Sequence, residues 1–115
     1  MSLNYNIIVI YTNEDARWKG KQAYAAIIEY VRSTKTAARC LVMRGVAGCY
    51  ENGELASSKI EVLSINMPLK IEIIVPSNEI ERILPGIEEI VTDGIIAVEV
   101  INIRSNKTQQ FSKSL

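Results

Sequence analysis

The amino-acid sequence predicts a single α+β domain whose strands and helices follow the order β-α-β-β-α-β. Residues 21–35 and 77–94 carry apolar side chains at the three- and four-residue spacing of amphipathic helices. The segments around and between them are rich in β-branched residues, which favours strands. This order is typical of the ferredoxin-like arrangement, in which one antiparallel sheet carries both helices on one face.

The first half of the chain supplies a strand, a helix and a second strand. The first strand is predicted over residues 5–11, and the polar segment that follows leads into the first helix. The apolar stripe of that helix consists of Tyr24, Ile27, Ile28 and Val31. A second strand is predicted over residues 37–44. It runs into the stretch RGVAGCYENG, residues 44–53, where Asn52-Gly53 is a strong turn signal.

The second half supplies two more strands around the second helix. Residues 58–75 alternate like strand on both sides of Pro68, which lacks a donor and predicts an edge position, a bulge or a break. In the second helix, Asn78 followed by Glu81 resembles a capping box, and Pro85 predicts a kink. Asp93-Gly94 predicts the C-terminal end of this helix. Residues 95–104 form the last predicted strand.

The domain is therefore predicted over residues 1–104, followed by a polar C-terminal tail over residues 105–115. Its core is expected to include Ile27, Ile83 and Ile87, which lie centrally on the two helical stripes.

Charge and composition exclude several classes of function. Basic and acidic residues number 13 each, which argues against nucleic-acid binding, and the chain has no histidine for a catalytic triad or a His-ligated zinc. The two cysteines, Cys40 and Cys49, have neither zinc-cluster nor redox-pair spacing, so we expect free thiols and no metal. The first apolar run is too short to span a bilayer, which predicts a cytoplasmic protein without membrane insertion.

The first strand predicts self-association because both of its sides are apolar. Ile7 and Val9 point to one face of the sheet, whereas Ile8 and Ile10 point to the other. Two helices cover one face, so the second face needs another cover. The sequence therefore predicts a homo-oligomer that packs through its sheets.

A family resemblance is carried by the stretches WKGKQAYAAIIEYVRS, LVMRGVAGCYENGE and MPLKIEIIVPSNEIERILPGIEEIVTDGIIAVEVINI. They closely resemble a bacterial and archaeal family of unknown function that is classed as PII-like, after the PII nitrogen-regulatory signal proteins. The resemblance covers about residues 5–104. It implies a PII-like trimer that binds a small ligand, often an adenine nucleotide, in clefts between subunits. Arg44, Gly45 and Gly48 would lie at the base of the loop beside that cleft.

The chain also departs from the pattern of its relatives. Its loop is shorter than the long loop of PII. The chain also passes directly from Gly94 to Ile95, whereas PII carries a Gly-rich segment with a phosphate-binding lysine at this place. Ala56 stands where the resembled family usually has a histidine. These differences predict an altered or lost ligand.

Other candidate ligand residues lie near the first helix and near the C-terminus. Lys19, Gly20 and Lys21 precede the helix, where backbone N–H groups favour an anion; the alternative is a solvated helix-entry loop. Glu14, with the neighbouring Asp15, is a candidate for a cation or an exocyclic amine. Arg104 is a candidate for a phosphate across a subunit boundary.

Two functions remain open at this point. The first is a non-catalytic trimeric sensor of a small, nucleotide-like anion. The second is a ligand-free oligomeric interaction module that docks on a protein partner such as a transporter. An acylphosphatase is disfavoured, because its phosphate loop would occupy the acidic segment TNEDARW, residues 12–18, which has no glycine.

Overall fold

The computed structural model describes residues 3–57 and 66–108. In chain order its elements are β1 (Leu3–Asn13), β2 (Arg17–Trp18), β3 (Lys21–Gln22), α1 (Ala23–Thr34), β4 (Arg39–Arg44), β5 (Ala47–Cys49), β6 (Leu55–Ser57), β7 (Pro68–Pro76), a 3₁₀ turn (Ser77–Glu79), α2 (Ile80–Ile90) and β8 (Ile95–Ile103). The strand predicted over residues 58–65 lies outside the described residues.

The main sheet confirms the predicted ferredoxin-like α+β fold. Its strands run in the order β4-β7-β1-β8, and each neighbouring pair is antiparallel. The two small hairpins β2–β3 and β5–β6 were not predicted, because strands of two or three residues carry no periodic signal. No helix within residues 3–57 and 66–108 is long and apolar enough to cross a membrane.

One face of the sheet forms the hydrophobic core with both helices. Ile8 and Ile10 of β1 are fully buried there, and Ile71 and Ile73 of β7 lie beside them. The three isoleucines predicted at the centre of the helical stripes are also 0% exposed, which confirms their place in the core: Ile27, Ile83 and Ile87. Burying one such side chain contributes roughly 1.5–3 kcal/mol.

The first helix is turned slightly from its predicted stripe. Its buried residues are Ala23, Ala26, Ile27 and Val31, whereas Ile28 is 36% exposed. The buried side of α1 is therefore centred on the alanines and Ile27, and Ile28 lies on its flank. The helix ends at Lys35, whose φ of 53° is left-handed.

The second helix is continuous through Pro85 but shorter than predicted. The expected capping box of Asn78 and Glu81 is wrong, since these residues fall in and after a 3₁₀ turn and no side chain caps the helix. Gly86 has a packing role: a Cβ there would overlap the ring of Tyr30, whose hydroxyl donates to Ile83 O at 3.2 Å. The missing side chain therefore lets the two helices approach closely.

Pro68 begins β7, and this resolves the alternatives left open for it. It pairs with Asn13 at the last position of β1, so the sheet loses a donor only at the start of a strand. From Pro68 onward β7 alternates between half-buried and buried residues up to Pro76.

The other face of the sheet, named here the open face, carries apolar side chains from all four strands: Tyr5, Ile7, Val9, Leu41, Met43, Ile74, Ile95, Ala97 and Ile101. Leu41 is 51% exposed and Ile95 is 55% exposed, whereas Ile7 and Val9 are half-buried. An ion pair between Lys70 and Glu72, at 3.0 Å, lies among them. Both helices pack on the opposite side of the sheet, so the expectation of two apolar faces is confirmed.

Candidate functional site

The stretch 44–53 leaves the sheet at Arg44 and folds back as a hairpin. The Gly45 N–H donates to Pro68 O at 2.7 Å. A Cβ at Gly45 would lie 3.0 Å from Pro68 Cγ, and one at Gly48 would lie 3.2 Å from it. Both glycines thus allow the loop to pack tightly against the start of β7.

The tip of the hairpin is the turn predicted at Asn52-Gly53. The Gly53 N–H donates to Tyr50 O at 2.8 Å, and Gly53 adopts a φ of +86°. The Tyr50 N–H donates to Glu54 O at 2.9 Å, and Asn52 Oδ1 accepts from the Glu54 N–H at the same distance. Ala56, where relatives were expected to have histidine, is buried opposite Gly48. This part of the stretch is therefore a reverse turn that connects β5 and β6.

Arg44 forms an ion pair at the base of the loop. Its Nε donates to Glu14 Oε2 at 2.8 Å, and the two side chains are 52% and 27% exposed. The other carboxylate oxygen, Oε1, accepts from the Met67 N–H at 3.3 Å, and the Glu14 N–H donates to Met67 O at 3.0 Å. The hydrogen bond from Arg44 lowers the pKa of Glu14. Glu14 therefore stays ionised and links the ends of β1 and β4 to the start of β7.

Part of the Arg44 guanidinium remains available. Within the described residues its two Nη atoms make no hydrogen bond, since the pair with Glu14 uses Nε alone. A guanidinium has five N–H donors in a planar fork that matches carboxylate and phosphate groups. Arg44 can therefore offer charged donors to an anion at the loop base.

A cavity of about 200 Å³ opens at the same end of the sheet, where β1 ends and where β7 and β8 begin. Its lining residues are Tyr11, Thr12, Asn13, Cys49, Tyr50, Glu51, Pro68, Asp93, Gly94 and Ile95. A second cavity of about 300 Å³ continues from it and shares Asn13, Tyr50, Glu51 and Asp93. Asn13 directly precedes Glu14 in the chain, whereas neither Glu14 nor Arg44 is among the residues that line the two cavities.

Hydrogen bonds hold the walls of this cleft in place. Asn13 Nδ2 donates to Asp93 Oδ2 at 2.9 Å, and Thr12 Oγ1 donates to Asp93 O at 2.6 Å. Tyr50 Oη donates to Asn66 O at 2.6 Å. Burial, followed by the charge of Glu54 and other nearby carboxylates, raises the pKa of Tyr50, so it remains a neutral donor.

The cleft is rich in acceptor oxygens, and sequence reasoning missed most of it. Asp93 was interpreted only as a helix stop, and Asn13 was not singled out. The two residues are 80 positions apart, so no local pattern connects them. Gly94 is also required here, because a Cβ at that position would overlap Tyr11 O. The acceptors suit a ligand that carries N–H donors.

The predicted group Lys19, Gly20 and Lys21 forms a tight turn. Lys19 and Gly20 have φ values of 49° and 79°, as a type I′ turn between β2 and β3 requires. Lys19 Nζ lies 4.7 Å from the centroid of the Trp18 ring, and Lys21 Nζ lies 3.2 Å from Glu29 Oε1. Among the described contacts, none joins these lysines to Arg44.

Arg104 lies at the opposite end of the sheet from Arg44. It follows β8, whose last residue Ile103 pairs with Leu3, whereas Arg44 pairs with Leu69 near the far end of β1. Leu69 pairs with Thr12, which lies nine residues, or roughly 30 Å of strand, from Leu3. Within one chain Arg104 is therefore not part of the loop-base site, and a role for it needs a neighbouring subunit.

The two free cysteines are expected to differ in reactivity. Cys49 is exposed and lines the cleft, whereas Cys40 is half-buried and burial raises the pKa of its thiol. Iodoacetamide at pH 8 should modify Cys49 at least about tenfold faster, because the thiolate is the reactive form. Peptide mass spectrometry measures both rates, and the unfolded protein is the control in which the rates should converge. Equal rates in the folded protein would contradict this assignment of exposure.

Comparison with known proteins gives a family match and a fold match. The model of the family DUF190, described as an uncharacterized ACR, matches residues 5–103. Among solved structures, the chain is similar to the crystal structure of a DUF3240 family protein from Shewanella baltica OS155. That similarity has a TM-score of 0.57 and 12% identity, and it covers 92% of this chain and 97% of the other. At this identity the likeness concerns the fold alone.

Proposed function

The chain belongs to the DUF190 family, and from this premise we propose that it is a non-catalytic, PII-like sensor. In this proposal it acts in the cytoplasm as a homotrimer and binds a small anionic, nucleotide-like ligand in clefts between subunits. An adenine nucleotide is the specific candidate. Neither nucleic acid nor membrane insertion has a part in it.

The observation that carries the proposal is that Arg44 and the acceptor-lined cleft lie at the same end of the sheet: Arg44 pairs with Leu69, and Leu69 pairs with Thr12, which lines the cleft. A nucleotide combines a phosphate with a base that bears N–H donors. The Nη atoms of Arg44 suit the phosphate, and the oxygens of Asp93 and Glu51 suit an exocyclic amine. Pro68 connects the two parts, because it lines the cavity and accepts the hydrogen bond from Gly45.

The open face supports the trimer in this proposal. It presents apolar side chains on every strand of the main sheet, including Leu41, Met43 and Ile95 at 37–55% exposure. Exposed apolar area of this kind is typical of an interface between subunits. Sheet-to-sheet packing of three copies would remove it from water. Arg104 could then approach the loop base of a neighbouring subunit.

The direct test is nucleotide binding by the wild-type protein and the Arg44→Ala variant. Isothermal titration with ATP, ADP and AMP at matched salt should show binding to the wild type. The variant should bind about ten- to hundredfold more weakly, because it loses charge-assisted hydrogen bonds of about 1.5–3 kcal/mol each. Arg82→Ala is the matched control, since Arg82 is also an exposed arginine in a 3.2 Å pair with a glutamate.

Two further results decide this test. Equal affinities of the wild type and Arg44→Ala would remove Arg44 from the ligand site. A bound nucleotide should also slow the alkylation of Cys49, which lines the cleft, and leave Cys40 unaffected. Nucleotide binding that leaves the alkylation rate of Cys49 unchanged would show that the ligand binds outside this cleft.

A second candidate is the ligand-free interaction module that docks on a protein partner such as a transporter. The loop residues Val46 and Leu55 favour it, because they are 75% and 73% exposed. Such apolar side chains on a projecting hairpin can anchor a partner protein. The absence of nucleotide binding to the wild type would favour this second function.

A further inference from the structure

The carboxylate of Glu14 occupies Arg44 in the way that an anionic ligand would. It lies 2.8 Å from Nε, which is an ordinary distance for a charge-assisted hydrogen bond. It is also fixed in place, because its other oxygen accepts from the Met67 N–H and its own backbone N–H donates to Met67 O. A ligand anion therefore meets an arginine that already has a partner.

We propose that Glu14 determines the anion selectivity of Arg44, so that the site responds to polyphosphate groups and not to singly charged anions. This inference rests on the proposed function. An acetate ion carries the same charge as the Glu14 carboxylate and gains little by replacing it. A pyrophosphate or triphosphate group carries several charges and more acceptor oxygens, so it gains more from Arg44 than Glu14 does.

The surroundings of Arg44 strengthen this selectivity. Asp93 and Glu51 line the cleft at the same end of the sheet, and Glu54 lines its continuation. These carboxylates repel any anion that approaches, and the repulsion must be outweighed at Arg44 itself. Removing the charge of Glu14 lowers this barrier and frees the Nε donor at the same time. A Glu14 variant without this charge is therefore expected to bind anions more tightly and to distinguish less between pyrophosphate and acetate.

The experiment compares inorganic pyrophosphate, orthophosphate and acetate as ligands of the wild type and of Glu14→Gln. Glutamine keeps the size of the side chain but offers one neutral oxygen for both Arg44 and Met67. Isothermal titration should show pyrophosphate binding about tenfold tighter to Glu14→Gln, the factor expected for one charged hydrogen bond. The ratio of the acetate Kd to the pyrophosphate Kd should be smaller for the variant than for the wild type. Glu14→Ala should give the same direction of change.

Glu29→Gln is the matched control, because Glu29 also pairs with a basic residue at 3.2 Å but lies on α1. Its affinities should equal those of the wild type. If the wild type binds nucleotide while Glu14→Gln binds pyrophosphate equally or less tightly, the inference is overturned and the proposed function stands. If pyrophosphate binds to the wild type and the variants as expected but the wild type binds no nucleotide, the inference stands and the proposed function fails. Pyrophosphate binding by the Glu14 variants alone overturns the inference. No binding to any variant overturns both.

Discussion

Replacing Ile83 with alanine is expected to lower the free energy of unfolding by about 2–5 kcal/mol. Ile83 is 0% exposed and belongs to the core cluster of the helices and the sheet, so truncation leaves a cavity among well-packed neighbours. Tyr30 makes the loss larger, since its hydroxyl donates to the backbone of Ile83 and any shift of α2 disturbs that bond. Urea denaturation at a fixed protein concentration measures the change.

The matched control for this change is Ile28→Ala, which removes the same atoms from a side chain that is 36% exposed on α1. Its cost should be clearly smaller, because part of the removed surface already faces water. Similar losses for both variants would show that the position of Ile83 in the core is described incorrectly.

Introducing a charge on the open face is expected to dissociate the proposed trimer. Ile7 lies on the central strand β1, between Ile74 of β7 and Glu99 of β8. A lysine there would have to lose its hydration in a subunit interface, and an ion pair with Glu99 across the strands offsets only part of this cost. Light scattering at micromolar concentration should give a mass near three chains for the wild type and a lower mass for Ile7→Lys.

Val46→Lys is the control for this experiment, because Val46 is 75% exposed on the loop and belongs to no strand of the main sheet. It should keep the mass of the wild type. A wild-type protein that is cleanly monomeric would contradict the sheet-packed trimer, and so would an Ile7→Lys variant of unchanged mass.

The fold could be predicted because its main signals are local. A period of two in residues 68–76 and a period near 3.6 in residues 80–90 need no knowledge of distant contacts. The predicted ends of the helices and strands were less accurate, since these ends depend on turn geometry. The second helix stops at Ile90 where the Asp93-Gly94 pair suggested a later end, and the tight turn at Gly20 was interpreted as a helix-entry loop.

The candidate site was only partly predictable, because its contacts join residues that are far apart in the sequence. Arg44 and Glu14 were both singled out, but their ion pair joins residues 30 positions apart and appears in no local pattern. The two were assigned to different ligand charges, whereas the structure brings them into contact. The loop glycines had a second explanation that sequence could not separate from ligand binding: they pack against Pro68, which lies beyond the hairpin in the chain.

The last strand affects the tendency of the protein to aggregate. β8 forms one edge of the sheet over Ile95–Ile103, and its only charged residue is Glu99. Val98 and Val100 are 42% and 70% exposed along it. Such a long apolar edge, with no proline, is a template on which another extended chain can pair. The protein is therefore expected to aggregate through this strand wherever the β8 edge is left unpaired.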